Sequence, residues 1–461
     1  MIGYTYSQPR ISSLALLLLQ TTLSPVVFAA GFQINEISPS LQGDATAGAA
    51  AAYNDVSAMF INPATLSTLR ENQGYLGGSE IFPHIRMSNA NGVHTVNVPG
   101  VPPSDITAMV HGQTYEDNIS PSAFIPDGYI GKRVNDKVVI GLGIIAPYGL
   151  KTAYSQNSVL RFASVYSSVK TIDINPSISY SINEHLAVGL GFQAQYLKAK
   201  FTNFNGPYTG IVPIDAFIAA DYPTTLNGEG WGYGYNAGLL FMPDLKTRLG
   251  IGYRSQILEH LSGNGMQYTS PGPTVPAPSQ NFLFNAQSAV FASMRTPQIL
   301  TFSAARDIAN WTLKASAQVN FWDCFDQLTI NMPGAFATNS TIQSQWKNTW
   351  FGAVGAEYRA TPTWTVRGGI AYDETPTTAF RDARIPDSDR VWVNIGATYA
   401  LNKNTSIDAA YAHIFTQDQM VNVSQASGSS ATSTVPLEVN QIYANYKGSA
   451  DVVALALRYC F

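Results

Sequence analysis

Over most of its length the chain alternates between two kinds of side chain at every residue. Read back from the terminus, Phe461, Tyr459, Leu457, Leu455 and Val453 share one face, while Cys460, Arg458, Ala456 and Ala454 share the other. A period of two with one apolar face and one small-or-charged face is the pattern of a half-buried strand. Leu186, Val188, Leu190, Phe192 and Tyr196 alternate in the same way with Ala187, Gly189, Gly191, Gln193 and Gln195. Trp231, Tyr233, Tyr235, Leu239 and Phe241 alternate with Gly232, Gly234, Asn236 and Gly238. Like patterns recur from Arg248, Trp364, Val391 and Ile407, with Arg254, Arg367, Asp373 and Asp408 on the small-or-charged face. Aromatics gather at the strand ends, as girdles at two membrane interfaces do.

The connections sort by length. Short turns at 133–137, 183–185, 243–246, 307–310, 360–363 and 402–404 alternate with long connections near 88–121, 150–168, 203–228, 262–293, 325–345, 375–388 and 416–440. Six short and seven long connections join fourteen strands and leave both ends on one side. Short periplasmic turns and long external loops are the signature of an outer-membrane barrel. A soluble sandwich or lectin-like fold has no reason to segregate loops by side, and its core would want large residues on the second face. The prediction is an all-β fold: a 14-stranded antiparallel transmembrane β-barrel.

Composition agrees. Of 461 residues only 12% are charged, about half the usual 25% or so. An aromatic content of 11% excludes disorder. Beyond the N-terminus no run reaches the ~18 apolar residues of a membrane helix. A net charge of -4 offers no basic surface to nucleic acid. At the N-terminus, Arg10, the apolar stretch Ile11 to Leu23 and Val27-Phe28-Ala29 predict a secretory signal over 1–29, cut after Ala29. Its apolar core of about 13 residues is too short to span. Cys324 and Cys460 are expected at opposite rims, about 25 Å apart, too far for a disulfide.

Residues 30–72 do not read as strand. Ala45 to Ala52 is almost all small, and Pro39, Gly43, Gly48 and Pro63 break any long helix. A free periplasmic tail is one reading. A compact hatch, or plug, inside the lumen of the 73–461 barrel is the favoured one, because fourteen strands enclose a lumen that needs filling or gating. No metal-type spacing of the six histidines, nucleophile elbow or phosphate loop appears, so neither catalysis, a metal nor a cofactor is expected.

Gly31-Phe32-Gln33-Ile34-Asn35-Glu36, then Asn62-Pro63-Ala64, Pro147-Tyr148-Gly149-Leu150, Gly189 to Tyr196, Trp231 to Gly238, Tyr253-Arg254-Ser255 and Ile385 to Trp392 follow one another down the chain. In that order they resemble the FadL family of outer-membrane long-chain fatty-acid transporters. The resemblance implies a hatch and uptake by diffusion. Cargo would be caught between two external loops, held in a lumenal pocket beside the hatch, and released sideways at a kinked third strand. It points to Pro147, Tyr148 and Gly149 as the opening and to Asn62, Pro63 and Ala64 as the hatch motif. From the residues themselves, Phe32 and Ile34 are expected to cap the pocket, and the apolar loop residues Phe217, Ile218, Phe282, Phe284 and Phe291 to meet cargo. The expected partners are a hydrophobic small molecule, outer-membrane lipid and lipopolysaccharide, the protein acting as a monomer in a Gram-negative outer membrane. In one respect the chain departs from the pattern. Asn203 and Ile342 stand where fatty-acid members are expected to offer basic residues, with Lys198, Lys200, Arg295 and Lys347 as nearby candidates. Lys198, by its alternation with Tyr196, should face outward. Neutral aromatic hydrocarbons are therefore an alternative cargo, and a general porin is a second alternative.

Overall fold

A computed structural model describes residues 31–96, 107–205, 222–267, 286–333, 339–429 and 436–461. The predicted signal and the loop residues Phe217, Ile218, Phe282 and Phe284 lie outside them. The fourteen barrel strands run Gln73–Val96, Ala123–Arg133, Val138–Ile145 with Gly149–Ala153, Tyr166–Ser181, Leu186–Asn205, Tyr222–Asp244, Thr247–Arg254 with Ile257–Gln267, Ala286–Thr296 with Gln298–Ile308, Trp311–Phe321, Thr349–Arg359, Trp364–Asp373, Arg390–Ala400, Thr405–Thr416 and Pro436–Cys460. Each is antiparallel to its neighbours, and the ring closes where the first strand pairs with the fourteenth, from Gln73↔Cys460 to Val96↔Glu438. Closing the ring pairs the last strand with the first, as a strand structure in lipid requires.

The alternation read from the sequence is the alternation of the wall. Leu455, Leu457, Tyr459, Trp231, Tyr233 and Tyr235 stand on the outside, exposed; Ala454, Ala456, Gln193 and Asn236 are buried inside. Both cysteines are free. The long connections differ from the expectation, because much of what reads as loop is strand. The first strand continues to Val96, and the fifth and sixth strands extend to Asn205 and from Tyr222. A hairpin, Gln327–Asn331 with Asn339–Gln343, stands in another connection, and Gln419–Ser429 pairs back onto the fourteenth strand. Outside the bilayer nothing ends a ladder except turn chemistry, so paired strands continue past the apolar band.

Residues 31–70 form one helical turn, Pro39–Gln42, and three 3-10 turns, Ala49–Ala51, Val56–Phe60 and Pro63–Thr68. The first packs on strands 1, 12, 13 and 14, the second on strands 7 and 8, the third on strands 1 to 3 and the fourth on strands 3 to 6. A short segment can touch strands so far around the cylinder only from within it. Nearly all its residues are buried.

Candidate lumenal pocket and strand interruption

The leading segment is seated by capping and by close approach to the wall. Asn62 caps the turn that follows it, its Oδ1 accepting from Ala64 N at 2.9 Å, and Pro63 takes the first helical position, where a missing N–H costs nothing. The Asn62 amide then donates to Ala50 O at 2.6 Å and to Leu239 O of the sixth strand at 3.0 Å. Such an approach to a strand backbone needs a wall without side chains. A Cβ at Gly238 would collide with Asn62 Oδ1, and one at Gly189 with the Pro63–Ala64 backbone. The Asn62-Pro63-Ala64 triplet thus fixes the segment to the wall.

Charges lock the other side. Lys314 Nζ meets Asp44 Oδ2 at 2.7 Å and Glu357 at 3.1 Å. Arg367 meets Glu357 at 3.0 Å, and Arg458 bridges Asp408 and Asp55 at 3.1 Å each. The chain of pairs runs along the inner wall from one acid of the leading segment, Asp44, to another, Asp55. Removing one partner from such a buried pair costs about 3–5 kcal/mol.

Residues 31–36 lie across the third strand. That strand is interrupted: Ile145 pairs with Asp173 and pairing resumes at Gly149↔Lys170, leaving three residues opposite two. One extra residue makes a bulge, and Pro147 has no N–H for the ladder. The freed groups are taken up by the leading segment. Ile34 N donates to Pro147 O at 2.9 Å, Gly149 N donates to Phe32 O at 2.8 Å, and Gln33 bridges to Tyr148. On the other side, the second strand pairs with the third only from Gly128↔Ile144 toward the turn at Arg133, although it pairs with the first strand from Ala123 on. Strands 2 and 3 therefore separate beside Pro147.

Phe32 is fully buried in an aromatic cage. Its ring centroid lies 4.8 Å from Trp322, 5.6 Å from Phe325 and from Trp346, and 5.8 Å from Tyr148, mostly edge to face. Such pairs are worth about 0.5–1.5 kcal/mol each beyond area burial. Above this cage is a cavity lined by Phe32, Leu150, Val169, Phe201, Met294, Leu328, Ile342, Trp346, Phe380 and Ile385. Its charged lining is Arg384 and Asp382, paired at 2.7 Å. A second, small cavity lies beyond residues 33–35, lined by Gln33, Ile34, Asn35, Phe60, Pro147 and Arg254. Arg254 stacks on Phe60, 3.5 Å from the ring centroid, and meets Asp173 at 3.8 Å. Residues 32–35 are thus the partition between the two cavities.

The same residues are anchored by a buried polar cluster. Gly31 N donates to Asp387 Oδ2 at 2.8 Å, Thr375 Oγ1 donates to the same oxygen at 2.7 Å, and Arg390 pairs with Asp387. Burial pushes the Glu36 carboxyl up to about 7, with its own backbone amide and then the Arg390 charge pulling the other way.

Several expected positions shift. Phe291 and Val290 are not in a loop but in the eighth strand, where alternation buries Val290 and turns Phe291 outward, exposed. Phe291 therefore does not line the cavity; Met294, on Val290's face, does. Of the basic candidates, Lys198 and Lys200 face outward, as does Arg295, and Lys347 pairs with Glu374 at 2.5 Å. Ile342 lines the cavity, and Asn203 bonds the Phe162 carbonyl at 3.1 Å. The cations that line the two cavities are Arg384 and Arg254. Arg254 already stood on the inward face of its strand by alternation. Arg384 lies in a connection without periodicity, and no sequence signal marked it. Among the described residues no group of three His, Cys, Asp or Glu side chains is placed to hold a metal.

The family model of outer membrane protein transport proteins (OMPP1/FadL/TodX) matches residues 20–461. The chain belongs to this outer-membrane transport family. The long-chain fatty acid transport protein of Salmonella typhi is 30% identical over 417 residues, covering 87% of this chain and 91% of that one. Outer membrane protein P1 of Haemophilus influenzae is 28% identical over 408 residues, covering 84% and 86%. The crystal structure of a Pseudomonas aeruginosa FadL homologue superposes with a TM-score of 0.79 at 25% identity, covering 94% of this chain and all of that one. The Ralstonia pickettii toluene transporter TbuX shares the fold, with a TM-score of 0.63 at 18% identity, covering 95% of this chain and 100% of that one. As a member of the family, the chain is an outer-membrane barrel for hydrophobic transport.

Proposed function

We propose that this barrel takes up long-chain fatty acids or similar hydrophobic molecules by diffusion, as a monomer among outer-membrane lipid and lipopolysaccharide, without catalysis. Cargo caught at the external loops enters the cavity above Phe32. Residues 32–35 then move, the two cavities join, and cargo leaves sideways at Pro147, Tyr148 and Gly149. Residues 31–70 act as the hatch, and its core, held by Asn62-Pro63-Ala64 and the two acid anchors, stays in place. The observation that carries this reading is that one short stretch does two jobs. Phe32 forms the floor of the apolar cavity, while the backbone from Phe32 to Ile34 fills the interrupted third strand.

No energy source is needed. Burial contributes about 0.8 kcal/mol per CH₂, so an acyl chain partitions readily into the cavity, and release follows from a shift in the hatch population. A carboxylate would be met by Arg384, which must first loosen from Asp382. That internal pairing favours a second reading, uptake of neutral aromatic hydrocarbons, because a self-neutralised cavity with aromatic walls suits an uncharged ring. A filled lumen argues against a general porin.

Binding to the purified barrel, followed by Trp322 and Trp346 fluorescence, separates the two cargoes. The fatty-acid reading predicts saturable oleate binding that weakens about tenfold in Arg384→Gln, for the loss of one charge-assisted bond. Saturable toluene binding with none for oleate would replace it with the aromatic reading.

A further inference from the structure

The cargo route leaves one buried polar cluster unused, behind the aromatic cage. A row of inward residues crosses strands 4 to 8 at the level where the third strand breaks. Asp173, paired with Ile145 at the break, lies opposite Gln195, and Gln195 lies opposite Gly232. Glu259 lies opposite Met294, which lines the cavity above Phe32. Gly232 joins the two halves. A Cβ there would stand 3.0 Å from the Glu259 side chain, and the space that glycine leaves lets Gln195 Nε2 donate to Glu259 Oε1 across the strand. One row nearer the cavity the wall is apolar, with Leu197 and Leu261 buried.

Asp173, Gln195 and Glu259 are fully buried, yet Glu259 Oε2, Gln195 Oε1 and Asp173 Oδ1 have no hydrogen-bond partner. Buried acceptors left open destabilise a fold unless something donates to them. A donor is open on the cage side too. Trp322 Nε1 is buried without a partner, and the turn Trp322–Cys324 packs on the eighth strand. The Glu259 charge reaches Cys324 of that turn and Tyr148 of the cage. Phe32 packs against both Trp322 and Tyr148. Open acceptors beside an open indole N–H call for a head group with one O–H to give and one oxygen to receive. A carboxylate has no O–H. The two acids of the row also repel it, and the charge of Arg254 is directed at Asp173, 3.8 Å away.

We propose that Glu259, Gln195 and Trp322 form a site for the hydroxyl of an uncharged head group, a protonated carboxylic acid or a primary alcohol, and that the site joins the cavity when Phe32 withdraws. The head group donates its O–H to Glu259 and Gln195 and accepts from Trp322 Nε1. A fatty acid enters with a proton taken from water; an alcohol brings its own. The inference rests on the cargo reading above and adds to it the form in which a polar head passes the partition.

Isothermal titration calorimetry of the purified full chain with oleyl alcohol and with methyl oleate, which carries the same acyl chain but no O–H, tests it. In Phe32→Ala, where the cover is gone, the alcohol is expected to bind at least fivefold more tightly than the ester, against less than twofold in the wild type. Adding Glu259→Leu to Phe32→Ala is expected to bring the ratio below twofold. A ratio that does not fall would overturn the proposal, because a Glu259 that only supports the wall would weaken both probes alike. Should Phe32→Ala/Glu259→Leu not fold, Glu259→Met, closer in shape, takes the place of Glu259→Leu with the same expectation. Equal binding of the two probes in Phe32→Ala would overturn the site alone. Binding of neither probe, nor of oleate, to the wild type or the variants would overturn the cargo reading and the site with it.

Discussion

At the scale of single residues, the seating of residues 31–70 in the lumen depends on a few side chains that each satisfy backbone the fold leaves open. Asn62 caps one turn and reaches two carbonyls. Asn62→Ala removes a cap worth about 1 kcal/mol and orphans buried carbonyls at about 1–3 kcal/mol. Amide hydrogen exchange at residues 62–66 is expected to speed by more than tenfold while the barrel amides keep their protection; unchanged exchange would show that Asn62 is not the anchor. Glu36 gives a pH dependence. Its carboxyl titrates near 4.5 when solvated and near 7 when buried. The docked state therefore holds the proton more tightly, and docking weakens as pH rises from about 4.5 to 7, then stays level. The whole effect is at most about 3 kcal/mol. Exchange at residues 32–36 should be faster at pH 8 than at pH 5, after correction for intrinsic rates, and Glu36→Gln should abolish the difference. Asp373, Asp387 and Arg390 surround the same site, and a dependence that survives in Glu36→Gln would assign it to them. Phe32, which lines the cavity, was legible as a pocket residue from its apolar character just after the predicted signal. Arg384 was not, because no periodicity marks its connection.

At the scale of elements, strands were legible and their ends were not. Alternation set which side chains of the fourteenth strand face lipid, since one slip would turn every apolar residue inward. Where lipid stops, that constraint stops, so the sequence of the extensions to Val96, Asn205 and from Pro436 carries no strand signal that outlasts the apolar band, and neither does that around Val290 and Phe291. The resemblance pointed to Pro147, Tyr148 and Gly149 as an opening in the third strand, yet not to the strand's resuming there or to residues 32–34 completing it, a pairing between segments more than a hundred residues apart. The inward glycines were legible as small residues in a crowded interior; which part of the hatch meets each one is tertiary information. Gly189→Leu places a side chain into the Pro63–Ala64 backbone, and overpacking of this kind costs about 1–3 kcal/mol or more. In planar bilayers this variant is expected to show frequent ion-conducting openings where the wild type is quiet. A silent variant with a normal barrel would mean that the hatch core tolerates displacement.

At the scale of the molecule, the architecture follows from two conditions that sequence alone expresses. Every strand must bury its backbone polar groups in a closed ladder, and fourteen strands leave a lumen too wide for wall side chains to fill. The chain answers the second with its own residues 31–70, which reach strands around the ring. Hydrophobic cargo is expected to pass this filled lumen through the cavity above Phe32. Labelled oleate uptake in cells that lack their own long-chain fatty-acid transporter tests it most directly. The wild-type chain is expected to restore uptake, and Leu328→Arg, which puts a charge into the cavity wall, to abolish it while the barrel still reaches the outer membrane. Uptake that is absent from the wild type, or undiminished in Leu328→Arg, would contradict it.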